Sequence, residues 1–312
     1  MYNENEQDPV HELVHLYVDG AFDRRELLSR VTKLFGSGAA ATAALGGYSE
    51  LMAQTPNACP ANVKVPIDAP DIVASDIEYS ANGVKMQAHF AYPKGVDGKI
   101  PGVIVIHENR GLLDHHKDVA RRAARAGFAA IAPDLLSRQG GVGQFTEPQL
   151  QTAAYGRTNQ VDRRIDLISA LDYLKFTPFV QHDRIGAVGF CAGGGNVWDL
   201  AANLPELAAA VPFYGPLAVP ITQLVDIQTP LLMIYGERDR NLTSSMGPVM
   251  VELLARQKAF AFRVYEGAAH AFHNDTGAAY NADAACAAWA ETITFFNKWL
   301  RAPRPAPLTN RA

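Results

Sequence analysis

The chain has 312 residues, of which 48% are hydrophobic and 19% are charged, so it can bury a large core, and global disorder is excluded. The net charge is −4 and no block of Lys and Arg residues stands out, which argues against nucleic acid as a partner. The longest apolar runs are shorter than the roughly 18 residues that a membrane-spanning helix needs, so we expect no membrane span.

The chain contains three cysteines, Cys59, Cys191 and Cys286. A small odd number without a CxxC motif fits neither a disulfide framework nor a zinc site. One disulfide is still compatible with the sequence, and a bond between Cys59 and Cys286 is the pairing that spares Cys191. Such a bond would indicate an oxidising compartment. The sequence leaves this pairing open.

Residues 1–62 predict a helical N-terminal extension. Apolar residues recur at helical spacing at Val10, Leu13, Val14 and Tyr17. A second helix is expected to begin near Asp23, because Asp23 and Glu26 have the spacing of a capping box. Its apolar face is expected to consist of Leu27, Leu28, Val31, Leu34 and Phe35.

The same extension has a second interpretation. Residues 23–28 read Asp-Arg-Arg-Glu-Leu-Leu, which is similar to a twin-arginine export motif, with processing before Ala61. The arginines lie unusually deep in the chain, however, and Lys33 interrupts the apolar stretch that follows them. We therefore favour a retained extension in a cytoplasmic protein, and periplasmic export is the alternative.

Residues 63–302 predict an α/β domain. An Asn82-Gly83 turn joins two expected strands, at 77–79 and 84–92, into a hairpin. Further strands are expected at 103–106, 128–132, 184–190, 208–214, 231–235 and 261–265, and helices at 118–126, 161–176, 191–202, 244–257 and 279–300. This alternation predicts a mostly parallel central sheet with helices on both faces. A Pro-rich tail, 303–312, is expected to lie extended or disordered.

Gly189-Phe190-Cys191-Ala192-Gly193 follows one expected strand and opens a helix. This is the context of a nucleophile elbow, a sharp turn that exposes one side chain above a sheet. The helix N-terminus also favours the thiolate form of Cys191. The alternative is a structural cysteine in the core.

Two later loops carry the residues that a nucleophile requires. Asp239 follows the strand that ends at Gly236, and His270 follows the strand that ends near Tyr265. Catalytic groups of open α/β sheets gather at the carboxyl ends of strands. The chain order nucleophile, acid, base is that of α/β-hydrolases. We expect Asp239 to orient His270 and His270 to transfer protons. Glu237 is the rival acid, and His273 the rival base.

The domain resembles the dienelactone hydrolase (carboxymethylenebutenolidase) family of α/β-hydrolases. The matching stretches are residues 105–112, 127–135, 189–194, 236–239 and 267–272. The resemblance implies an α/β-hydrolase fold and hydrolysis of a small carboxylic ester or lactone through a cysteine thioester. It also implies a Cys-His-Asp triad formed by Cys191, His270 and Asp239, and it calls for no cofactor.

The resemblance assigns two further roles near the expected strand 103–106. A glutamate at the position of Glu108 contacts the nucleophilic thiol and accepts its proton as substrate binds. The backbone N–H groups of Asn109 and Ala192 would form the oxyanion hole. A surface glutamate in a turn is the alternative for Glu108.

The same stretch has a metal-binding alternative. Potential ligands are His107, Glu108, Asp114, His115 and His116. Their spacing does not match an HExxH-type motif, so we expect no metal. We expect His115 and His116 instead to begin the helix that contains Asp118.

Substrate binding is where the sequence departs from the family. Dienelactone-cleaving members hold the substrate carboxylate with arginines, one of them four residues after the catalytic histidine, and this chain has Asn274 there. Arg110 and Arg157 are candidate substitutes. Tyr155, Phe190 and Trp198 are candidate pocket walls, with core packing as an equal alternative for Trp198.

Two other functions remain open from the sequence. One is thiol-dependent hydrolysis of a different acyl or phosphoryl ester. The other is a catalytically silent domain that binds a small acid or a partner protein. The sequence does not give the oligomeric state.

Overall fold

The computed structural model describes residues 24–37 and 64–301, together with Val10, Leu13, Ala40 and Ala41. The chain divides into two compact units, Met1–Pro60 and Ala61–Ala312. The remainder of the first expected helix, the processing position before Ala61, the Pro-rich tail and the Cys59 partner of the Cys59–Cys286 pair lie outside the described residues.

In the first unit, helix α1 spans Arg24–Phe35 and begins one residue after Asp23. Leu27 and Val31 of its expected apolar face are buried. The other three residues of that face, Leu28, Leu34 and Phe35, are exposed. The helix was therefore predicted correctly, but its buried stripe is narrower than the sequence pattern indicates.

The second unit contains an eight-stranded sheet in the order β1-β2-β4-β3-β5-β6-β7-β8. The strands are β1 (Ile72–Ala81), β2 (Val84–Pro93), β3 (Ile100–Ile106), β4 (Ala129–Pro133), β5 (Val180–Phe190), β6 (Ala209–Phe213), β7 (Leu231–Gly236) and β8 (Phe260–Tyr265). Strand β2 pairs antiparallel with both β1 and β4, and every other pairing is parallel. This arrangement confirms the predicted mostly parallel sheet of an α/β-hydrolase fold.

The turn between β1 and β2 matches its sequence signal. Asn82 and Gly83 both have positive φ angles, 51° and 83°. A two-residue turn with positive φ at both positions fits the right-handed twist of a hairpin, and Asn-Gly adopts it at low cost. The register then pairs Ala81 with Val84.

Helices cover both faces of the sheet. They are α2 (Asp114–Arg125), α3 (Pro148–Gly156), α4 (Gln160–Phe176), α5 (Ala192–Asn203), α6 (Arg240–Ala255) and α7 (Ala282–Phe296). One apolar core lies under α4, α5 and α6, and the other lies under α2 and α7. Successive residues of β5 point into different cores. Ala187 lies in the core under α4, α5 and α6, and Val188 lies in the core under α2 and α7, as expected for a strand buried on both sides.

Several boundaries differ from the sequence prediction. Helix α6 begins four residues earlier than expected, at Arg240, and α7 is shorter and continues as a π turn, Asn297–Arg301. Helix α2 begins at Asp114, so His115 and His116 lie in its first turn, as the alternative to a metal site predicts. Helix α3 was not predicted. Within the described residues, no helix is long and apolar enough to cross a bilayer.

Candidate active site

Cys191 occupies the sharp turn between β5 and α5. Its φ and ψ angles are 54° and −115°, a conformation that L residues seldom adopt. The backbone N–H of Cys191 donates to the carbonyl of Phe213 at 3.0 Å, which ties the turn to the end of β6. The side chain is partly exposed and its thiol is free. Helix α5 begins at the next residue, so the thiol stands at a helix N-terminus.

Two glycines allow this turn to form. A Cβ at Gly189 would overlap the carbonyl of Gly193, and a Cβ at Gly193 would overlap the carbonyl oxygens of Ile106 and His107. The first turn of α5 therefore packs directly against the carboxyl end of β3. This contact brings Cys191 and Ala192 beside the loop that carries Glu108 and Asn109.

His270 and Asp239 form a hydrogen-bonded pair. Asp239 is the residue directly before α6, and its Oδ2 lies 2.5 Å from Nδ1 of His270 in the loop after β8. The hydrogen-bonding contact of His270 with Cys191, supported by Asp239, raises the pKa of the imidazole to about 9. The thiol contacts the imidazole, and the imidazole contacts the carboxylate. This is the order of groups that nucleophilic catalysis requires.

The two rivals named from the sequence have other partners. Glu237 accepts a hydrogen bond from the backbone N–H of Gly267 at 2.8 Å, so it holds the loop after β8. His273 is fully buried and stacks on Phe190 at 4.9 Å between ring centroids. Neither ring nitrogen of His273 has a hydrogen-bond partner among the described residues.

Glu108 is buried beside this group. Its Oε2 accepts a hydrogen bond from Nδ2 of Asn274 at 2.9 Å, and its backbone N–H donates to Nε2 of His116 at 3.3 Å. Burial, followed by the negative charges of Glu108 and Cys191, raises the pKa of the Tyr214 hydroxyl well above its usual value. Both groups therefore act electrostatically on the Tyr214 hydroxyl.

Tyr214 was missed by the sequence reasoning. It directly follows β6 and has a φ of 36°, so it occupies a strained position at the carboxyl edge of the sheet. The rule that identified Asp239 and His270, a polar side chain directly after a buried strand, also applies to Tyr214.

Tyr155 lies on α3 near the nucleophile. Its hydroxyl accepts a hydrogen bond from Nδ2 of Asn196 at 2.9 Å. The Arg163 guanidinium lies 5.1 Å from the centre of its ring. Burial raises the pKa of Tyr155, and the charge of Cys191 contributes to that rise. This polar, anchored ring is the best placed of the predicted pocket residues.

The other predicted substrate residues are less favourably placed. Arg110 is half-buried in the loop after β3, and Arg157 lines a separate cavity of about 250 Å³ with Arg138 and Asp162. Phe190 and Trp198 are fully buried, and neither side chain presents a surface to a ligand. Trp198 donates to the hydroxyl of Tyr235 at 3.4 Å, which corresponds to its core-packing alternative.

The potential metal ligands around α2 are used in a different way. Nδ1 of His115 and the Arg122 guanidinium contact the two carboxylate oxygens of Asp275 at 2.9 Å and 2.7 Å. His107 lies next to Glu108, and its Nε2 accepts from the backbone N–H of Leu135 at 3.0 Å. No group of three ligands suited to a metal ion occurs in the described part of the chain. The ion pairs instead fasten the loop after β8 to α2.

Comparison with known proteins gives consistent results. The Dienelactone hydrolase family matches residues 86–300. An Escherichia coli (strain K12) protein named "Putative carboxymethylenebutenolidase" is 32% identical over 248 residues, which is 76% of this chain and 90% of the relative.

Two solved structures are similar in fold. A "Putative Dienelactone Hydrolase" from Klebsiella pneumoniae has a TM-score of 0.68 and 29% identity, and covers 73% of this chain and 99% of its own. A dienelactone hydrolase-like promiscuous phosphotriesterase from metagenomic libraries has a TM-score of 0.64 and 28% identity, with the same coverage of 73% and 99%. The chain therefore belongs to the dienelactone hydrolase family, and it is a hydrolase of the ester and lactone type.

Proposed function

We propose that the protein hydrolyses a small carboxylic ester or lactone through a thioester on Cys191. The observation that carries the proposal is the pair of His270 and Asp239, 2.5 Å apart, with His270 in contact with the Cys191 thiol. A silent binding domain has no need of a nucleophile with an oriented base.

In the acylation step, Glu108 accepts the thiol proton as substrate binds. The Cys191 thiolate then attacks the carbonyl carbon, and the resulting oxyanion accepts hydrogen bonds from the backbone N–H groups of Asn109 and Ala192. Collapse forms the thioester and breaks the C–O bond. His270, with Asp239 holding Nδ1, protonates the departing oxygen.

In the deacylation step, His270 takes a proton from water. The hydroxide that forms attacks the thioester carbonyl, and the Cys191 thiolate leaves. The product acid is released, and His270 again carries the proton with which the cycle began. Glu108 returns its proton to the Cys191 thiolate, which restores the starting state. These steps use only side chains and main-chain groups of the protein, so no cofactor is required.

The test is a panel of aryl esters and enol-lactones assayed with wild type and Cys191→Ala. We expect kcat/KM to fall by at least about 1,000-fold in Cys191→Ala, because the covalent route is lost. His182→Gln, at an exposed position on β5, is the matched control and should keep wild-type activity. Wild-type inactivity on every ester and lactone, or full activity in Cys191→Ala, would contradict the proposal.

A second candidate is hydrolysis of a phosphoryl ester. It is favoured by the similarity to the promiscuous phosphotriesterase, which shares 28% identity over 73% of this chain. Mass spectrometry of quenched reactions separates the two, since an ester substrate leaves an acyl group on Cys191 and a phosphotriester leaves a phosphoryl group. Labelling by iodoacetamide at neutral pH tests the silent alternative, which predicts an inert Cys191.

A further inference from the structure

Asn274 lies four residues after His270, in the loop between β8 and α7, and is 4% exposed. Its Oδ1 accepts two hydrogen bonds from Thr276, one from the backbone N–H at 3.0 Å and one from the hydroxyl at 2.7 Å. An amide has its acceptor on one side and its donors on the other. The two bonds from Thr276 therefore orient the Asn274 side chain and leave Nδ2 as the group that faces Glu108.

Nδ2 of Asn274 donates to Oε2 of Glu108 at 2.9 Å. Among the described residues, the other oxygen, Oε1, has no hydrogen-bond partner although it is buried. Glu108 is the second residue after β3, and the carbonyls of Ile106 and His107 just before it pack against the first turn of α5, which begins directly after Cys191. One carboxylate oxygen is thus held while the other is left for a proton.

The remaining polar groups around Glu108 act on its backbone. The ring of His116 accepts from the Glu108 N–H, and the ring of His107 contacts the Glu108 carbonyl oxygen at 2.5 Å. In the described residues no Lys or Arg pairs with this carboxylate within 4.0 Å. Asn274 is therefore a neutral donor to the Glu108 carboxylate. An ion pair would stabilise the charged carboxylate more strongly and so make Glu108 a weaker base.

We propose that Asn274 is a positioning residue that orients Glu108 to accept the Cys191 proton. This inference rests on the proposed function and deepens it. It also explains what replaces the arginine expected at this place in dienelactone-cleaving relatives. One N–H of Asn274 donates to Glu108, and the neutral amide lacks the charge and the bidentate fork with which an arginine holds a substrate carboxylate.

The test compares Asn274→Leu and Asn274→Asp with wild type on the ester that wild type hydrolyses best. The first removes the donor and keeps the same branched shape and number of side-chain heavy atoms, and the second sets a carboxyl group against Glu108. We expect kcat/KM at pH 7 to fall by about 10-fold and about 100-fold respectively, at or below the lower limit of the effect of removing a general base, because Glu108 is misplaced and not lost. The acidic limb of the pH profile should move to higher pH by about one unit, because a carboxylate without its donor binds a proton more readily.

The control is Asn203→Asp. Asn203 on α5 also donates from Nδ2 to a carboxylate, Oδ1 of Asp199 at 3.3 Å, but away from the thiol. The pH profile of Asn203→Asp should match that of wild type. Thr276→Val removes one of the two bonds that orient Asn274, and we expect an intermediate loss of about 3-fold with a smaller shift of the limb.

The pH dependence of Cys191 alkylation by iodoacetamide gives a readout that a merely structural role would not move. We expect its midpoint to shift in both Asn274 variants and to stay unchanged in Asn203→Asp. If both Asn274 variants fold and keep the wild-type pH profile while Cys191→Ala is inactive, the proposed role of Asn274 is wrong and the proposed function stands. Full activity in Cys191→Ala would overturn the proposed function instead. If Asn274→Leu does not fold, Thr276→Val carries the same test.

Discussion

At the residue scale, the short contact between Asp239 and His270 fixes which imidazole nitrogen faces the thiol. Asp239 holds Nδ1, so Nε2 is the nitrogen left for Cys191 and for substrate. An amide at position 239 would favour the opposite tautomer, as it does in serine triads.

We therefore expect Asp239→Asn to lower kcat by about 1,000- to 10,000-fold with little change in fold. Glu237→Gln is the matched control, because Glu237 accepts from the backbone of Gly267 and does not contact His270. It should retain activity within about 5-fold. Steady-state kinetics on one ester measures both variants. A larger loss of kcat in Glu237→Gln than in Asp239→Asn would make Glu237 the catalytic acid.

The raised pKa of His270 has a consequence for stability. Its folded value of about 9 lies above the unfolded value near 6.5, because the contacts with Cys191 and Asp239 favour the imidazolium. The folded state then binds the proton more tightly. This contribution is fully present below pH 6.5 and is lost as the pH rises through about 9.

The measurement is urea unfolding of wild type and His270→Gln at pH 6, 7.5 and 9.5. The difference in free energy of unfolding between the two proteins should shrink steadily as pH rises over this range. A difference that is constant with pH would mean that His270 is not held as an imidazolium in the folded state.

Much of the site follows from the sequence. The glycine turn around Cys191 and the loops bearing Asp239 and His270 need only local patterns and chain order, and these residues meet in the structure. The bond from Asn274 to Glu108 spans 166 residues. It depends on how two loops meet above the sheet, which no local pattern records.

At the element scale, the strand, turn and helix around Cys191 depend on the close approach of α5 to β3. The missing side chain of Gly193 permits that approach, because a Cβ would overlap the carbonyls of Ile106 and His107. A backbone carbonyl in a central strand cannot move aside cheaply.

We expect Gly193→Ala to lower the free energy of unfolding by more than about 2 kcal/mol and to reduce activity as the Cys191 turn shifts. Gly143→Ala is the control, since nothing lies within 4 Å of a Cβ there. It should stay within about 0.5 kcal/mol of wild type. Equal stability of the two variants in urea unfolding would show that α5 and β3 are not packed as described.

The alternation of elements was predictable because buried parallel strands leave continuous apolar runs. Helix α3 was not, because only Leu150, Ala153, Ala154 and Tyr155 among its residues are apolar, and Leu150 is exposed. Its start has Pro148 at the first turn, a signal that is weak without an apolar face. The early start of α6 has a similar cause, since three of the four residues in its first turn, Arg240, Asn241 and Thr243, are polar.

At the scale of the whole molecule, a cluster of buried histidines lies between the sheet and α2. The ring of His115 lies 5.0 Å from that of His116 and 5.4 Å from that of His273. Burial is the main cause that lowers the pKa of His116 and of His273 well below the usual value, and the positive charge of His115 is the next. The folded protein therefore keeps both rings neutral where an unfolded chain would protonate them.

The sign of the effect follows from linkage. Below about pH 6.5 the unfolded state binds these protons and the folded state does not, so stability falls as the pH falls. Each such histidine contributes a slope of up to about 1.4 kcal/mol per pH unit.

We expect the free energy of unfolding of wild type to fall between pH 7 and pH 5. His273→Phe keeps a flat ring against Phe190 but cannot titrate, so its slope should be shallower by up to that amount. His182→Gln, at an exposed position, should retain the wild-type slope. Urea unfolding at pH 7, 6 and 5 measures all three, and equal slopes in wild type and His273→Phe would mean that His273 does not resist protonation in the fold.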